Sequence, residues 1–173
     1  MEWTNELGCF ATYEAMPSGK LRRLAQFLLI TTLLSIAGLL ATATMGFLAS
    51  PGHVAQHIFA ALATVVLGLF SQSMTMFFFI GTGKEIKEAA AGDAEVVQRT
   101  KTFKARVFPA AMYAMLALMV TFIMGGGVAT GRTSRWLHLA LAVATIVMYA
   151  RAYWVQLAAM DENARLMERY LSD

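Results

Sequence analysis

The residues best equipped to hold a metal are His53, His57 and His138, with Met45 and Met124 falling near them once the chain is laid out as helices. His53 and His57 stand four apart in "PGHVAQHIF" (Pro51 to Phe59), so on a helix they share one face. His138 likewise comes a few residues into a later apolar run. Neutral imidazole ligates iron, copper and zinc alike, whereas added thioether sulfur turns a site toward Cu(I).

Three readings fit these residues. In the first, His57 and His138 are the axial ligands of one b-type haem. Small residues such as Gly38, Thr42, Ala61, Ala117 and Ala142 leave room for the macrocycle, and Arg132 and Arg135 offer cations to its propionates. No CxxCH is present, so attachment is non-covalent, and three histidines cannot supply a second bis-histidine haem. In the second, His53, His57 and His138 join Met45 and Met124 around copper. In the third no cofactor binds, and His57 makes an interhelical hydrogen bond to Thr42 or Thr145. Zinc hydrolysis fits less well, because no carboxylate falls near the histidines to act as third ligand or base.

The elements that must position these residues follow from composition. Of 173 residues, 58% are apolar and 14% charged, and mean hydropathy is +0.57. Four apolar runs, about 24–49, 53–80, 107–127 and 136–154, each approach the ~20 residues that cross a bilayer as a helix. Helices are required because lipid offers no partner to backbone polar groups. The expected fold is an all-α integral membrane protein, an antiparallel up-down bundle of four transmembrane helices, within a single membrane domain over 1–173. The first run is longer than a signal-peptide core and is taken as a retained span.

All the lysines and arginines except Arg132 and Arg135 lie in 1–23, in the 2–3 connection, or from Arg151 onward. The positive-inside rule therefore places both termini and that connection in the cytoplasm, in a bacterial inner membrane. The carboxylates fall on the same side and none lies within a span, which disfavours ion-coupled transport.

Segment 1–23 mixes Trp3, Phe10 and Tyr13 with polar residues and is expected to lie at the inner interface, with Lys20, Arg22 and Arg23 facing anionic headgroups. Residues 81–106 form a cytoplasmic helical hairpin broken at Gly92–Asp93, Asp93 capping its second arm. Tail 155–173 continues span 4, with Gln156, Met160, Ala164, Met167 and Leu171 on one stripe. "GTGKE" (Gly81 to Glu85) lacks the spacing and the hydroxyl of a phosphate loop. No internal repeat is expected.

Small and polar residues should face the bundle interior. The expected stripes are Thr31, Ser35, Gly38, Thr42 and Gly46 in span 1, and His53, His57, Ala61, Thr64, Gly68, Ser71 or Gln72, and Thr75 in span 2. Span 3 contributes Tyr113, Ala117, Thr121 and Met124. Span 4 contributes His138, Ala142, Thr145, Tyr149, Ala152 and Gln156. Arg151 is expected to snorkel to the inner headgroups.

The functional expectation is a membrane electron-transfer protein with its haem near the outer face, non-catalytic in itself. The alternative is a cofactor-free accessory or assembly subunit. Expected partners are the lipid bilayer, a redox or membrane-complex protein, a quinone near Gln72, Tyr113, Tyr149 and Gln156, and a second copy in a homo-oligomer. No nucleic-acid module is present.

Overall fold

The computed structural model describes residues 19–48 and 51–171. Expectations for Trp3, Phe10 and Tyr13 fall outside them, as does the side chain of Lys20. Four long helices make up the described chain: α1 Gly19–Phe47, α2 Val54–Ala89, α3 Ala94–Ala129 and α4 Arg135–Leu171. A single 3-10 turn, Pro51–His53, leads into α2. Each helix is long and apolar enough to cross a membrane. No strand occurs among the described residues.

Short turns make successive helices antiparallel neighbours. The 2–3 turn is sharp because Ala91 and Gly92 take positive φ, 48° and 85°. Asp93 then caps α3, its Oδ1 accepting from the Glu95 amide at 2.9 Å. Such a cap satisfies one of the orphan donors of the first turn. At the other end Arg135 donates to the Phe47 carbonyl at 2.7 Å, tying the start of α4 to the end of α1.

The bundle is inside-out by the standard of a water-soluble domain. Ser71, Gln72 and Thr75 have no exposure, while Phe59 is 72% and Phe77 63% exposed. Large side chains facing outward and small polar ones facing inward are what helix association in lipid requires, since lipid supplies no hydrophobic drive between helices.

Two apolar clusters fill the rest. One sits at the end carrying the 2–3 turn and the tail, where Phe79, Ile86 and Phe103 meet Met160 and Met167; this is the extension end. There the stripe of α4 packs against the hairpin arms, and Arg99 bridges Glu95 and Glu162 at 3.2 and 3.6 Å. The second cluster, Leu39, Ala114, Leu118, Tyr149 and Ala152, lies at mid-bundle.

Around the square, α1 packs on α2 and α4, and α3 packs on the same two helices. The α2–α4 diagonal also closes, whereas α1 and α3 stay apart. Polar pairs stitch that diagonal at two levels: Gln156 Nε2 donates to Gln72 Oε1 at 2.6 Å, and Thr82 donates to Asn163 Oδ1 at 3.1 Å.

Contrary to the expectation of an unrepeated chain, the two hairpins use the same register. Buried Leu28, Thr32, Ser35, Leu39 and Thr42 of α1 correspond in step to Val107, Ala111, Ala114, Leu118 and Thr121 of α3. In α2 and α4, Thr64, Gly68, Thr82 and Ile86 keep step with Thr145, Tyr149, Asn163 and Met167, counting from His57 and His138.

One expected face is wrong. Tyr113 is 60% exposed, and the interior stripe of α3 is Val107, Ala111, Ala114, Leu118 and Thr121. Choosing the polar-tipped tyrosine put the reading off by a fraction of a turn. Arg151 is exposed, as a snorkelling side chain must be.

Candidate functional site

His57 and His138 meet across the α2–α4 diagonal, their ring centroids 6.4 Å apart and their planes at 82°. A cavity of about 260 Å³ lies beside them. Its walls combine Thr42, Thr64 and Thr121 with Ala61 and Ala142, and Leu39, Val65 and Leu118 close its depth. Exposed Ile58 on α2 and Ile123 on α3 form part of its rim. The site is thus a small, mostly apolar pocket with two imidazoles in its wall, just under the roughly 300 Å³ at which small-molecule sites usually begin.

Each histidine is held against a glycine of the preceding helix. A Cβ placed on Gly46 would stand 3.0 Å from His57 Cε1, and one on Gly125 would stand 3.0 Å from His138 Cε1. Only the missing side chain lets each imidazole edge lie on the neighbouring backbone.

Hydrogen bonding leaves both rings with spare capacity. The Nδ1 atoms of His57 and His138 are buried and without a hydrogen-bond partner. The threonine hydroxyls do not serve the Nδ1 atoms: Thr42 Oγ1 donates to the Gly38 and Leu39 carbonyls, and the Thr121 and Thr145 hydroxyls pair with each other at 2.7 Å, while the His138 ring reaches the Thr121 backbone. The hydrogen bond from His57 to Thr42 or Thr145 expected for a cofactor-free site is therefore absent. An orphaned buried polar atom costs about 1–3 kcal/mol, so two on facing rings need a compensating role.

The other sequence candidates stand apart. His53 is exposed at the start of α2, and neither it nor Met45 nor Met124 lines the cavity. Among the described residues no group of three or more His, Cys, Asp or Glu side chains is placed to hold a metal ion. Arg132 and Arg135 are exposed at the histidine end of the bundle, outside the cavity wall. Sequence reasoning missed Gly125 and, beside it, Gly126 as cavity residues, although "TFIMG" (Thr121 to Gly125) echoes "TATMG" (Thr42 to Gly46).

Deeper along the same diagonal, Tyr149 is fully buried and its hydroxyl lacks a partner. It fills the space above Gly68, where a Cβ would come within 2.7 Å of Tyr149 Oη. The Gln72–Gln156 pair follows, with Gln72 Nε2 and Gln156 Oε1 left over. These residues line neither the histidine cavity nor the second groove, which runs between α3 and α4 past Arg99, Arg106 and Trp154.

Comparison with known proteins brings no help: no protein family, no curated protein and no solved structure matches the chain.

Proposed function

We propose that this protein is a membrane electron-transfer protein that holds one b-type haem between His57 and His138. The observation that carries the reading is the meeting of two half-buried rings whose Nδ1 atoms are buried and unpartnered. The centroids of His57 and His138 stand 6.4 Å apart, and one nitrogen of each imidazole would ligate the haem iron. The small residues of the cavity wall supply the room beside them, and the apolar lining excludes water.

A haem bound there supplies one-electron redox chemistry. The chain's part is to hold the two imidazoles on facing helices, to keep the pocket dry, and to present Arg132 and Arg135 at the adjacent end. The distribution of lysine and arginine orients that end to the outer side and the extension end to the cytoplasm. The helical hairpin and tail then form the surface on which an inner-side partner protein docks.

A second reading, a cofactor-free membrane subunit, draws on the self-sufficiency of the deeper polar pairs. Thr32–Ser71, Gln72–Gln156 and Thr82–Asn163 tie helices together with no added group. Copper has less support, since neither methionine reaches the cavity.

Protein purified from haem-replete cells decides between them. The haem reading expects a Soret band with sharpened α and β bands on reduction, lost or shifted in His57→Ala and in His138→Ala. A colourless preparation that also contains no copper would leave only the cofactor-free subunit.

A further inference from the structure

We infer that the chain is a tandem duplication of one helical hairpin, and that its cavity is built from two equivalent half-sites related by a two-fold axis passing between His57 and His138. The inference rests on the haem reading only for the identity of the ligand; the equivalence of the halves stands on geometry.

Three observations converge. The first is register, since buried positions of α1 recur in α3, and those of α2 in α4, at constant separation. The second is what meets across the α2–α4 diagonal. His57 faces His138, Gly68 faces Tyr149, and Thr82 bonds Asn163. These three pairs join positions that correspond in register, as a two-fold axis along the bundle requires, whereas Gln72 and Gln156 meet three residues out of step. The third is sequence around the cavity. "HIFAALATVV" (His57 to Val66) and "HLALAVATIV" (His138 to Val147) agree at His, two of three Ala, Thr and the final Val. "TATMG" and "TFIMG" agree at Thr, Met and Gly. The matches gather at the histidine end, where both half-sites face one ligand.

Each half-site thus consists of a glycine on the first helix of a hairpin and a histidine on the second. Gly46 positions His57 and Gly125 positions His138, with the same 3.0 Å approach to the same ring atom. A ligand on the axis meets two imidazoles held in the same way, so it is bound once per chain and by both rings equally. Gly46 and Gly125 are positioning residues, acting through the rings they support.

The test uses the full-length purified protein with Gly46→Ala, Gly125→Ala, their combination, and Gly81→Ala as a control, since nothing lies within 4 Å of a Cβ at Gly81. The readouts are haem content, the low-spin EPR spectrum of the oxidised protein, and the thermal midpoint. Equivalence expects both single variants to move the EPR g values in the same direction and to lower haem content by a similar factor. The double variant should compound the two effects, and Gly81→Ala should match the wild type. An effect confined to one hairpin, or absent from both, overturns the proposal. A colourless wild-type protein refutes the haem reading separately. The thermal midpoints then decide, with matched losses upholding the two half-sites and a one-sided loss overturning them.

Discussion

Tyr149 reaches across the bundle into space that exists only because position 68 is glycine: a Cβ there would lie 2.7 Å from Tyr149 Oη and 2.8 Å from Leu118 Cδ2. The contact sits below the histidine pair and sets how closely α2 and α4 approach. The spacing of His57 and His138 therefore depends on a residue three turns away from them, at one side chain's remove.

Gly68→Ala is expected to destabilise the protein by about 1–3 kcal/mol, the usual cost of forcing added volume into a packed interior. Tyr149→Phe alone should be neutral or slightly stabilising, because the hydroxyl it removes is buried without a partner. Combining the two should recover part of the loss. Unfolding of purified protein in detergent measures all three; equal stability of Gly68→Ala and wild type would show that the helices separate freely at this level.

The glutamine pair gives a second expectation. Gln72→Leu leaves Gln156 buried without its acceptor and should cost about 1–3 kcal/mol. Replacing both by leucine should cost less than the two single changes added together, since neither amide is then stranded. A double-mutant cycle on unfolding free energies reads the coupling, which for a hydrogen bond between membrane helices averages about 0.6 kcal/mol and reaches about 1.7 kcal/mol. Strict additivity would mean that the 2.6 Å contact contributes nothing.

Orientation is checked by labelling. In a Cys9→Ser background, Thr130→Cys at the histidine end and Glu88→Cys at the extension end are both exposed positions. The charge distribution predicts that a membrane-impermeant maleimide reaches Thr130→Cys in spheroplasts and reaches Glu88→Cys only after permeabilisation. The reverse pattern would put the His57–His138 pair on the cytoplasmic side.

Much of this architecture was legible because the interior residues differ chemically from the lipid-facing ones. In α1, α2 and α4 the inward stripe is threonine, serine, glycine, histidine and glutamine set among leucine and phenylalanine, so i+3 and i+4 spacing exposes it. In α3 the contrast fails. Ala111, Ala114 and Leu118 look no different from residues that face lipid, and Tyr113, the one polar-tipped residue in that stretch, points outward. The histidines could be placed at one depth by counting, but counting cannot tell that Met45 and Met124 turn away from them. That depends on a rotation of about 100° between successive residues. The repeat is faint in the sequence because its identities gather toward the histidine end, while the extension end has drifted, with Phe78 opposite in register to Ala159 and Phe79 to Met160.

The Gly68–Tyr149 contact also bears on how the protein tells its own halves apart. Two copies of the first hairpin would bring glycine to glycine across the axis and leave a hole. Two copies of the second would drive one phenol ring into another. Only the mixed pairing fills the space once, so a first hairpin is matched to a second hairpin and not to another copy of itself.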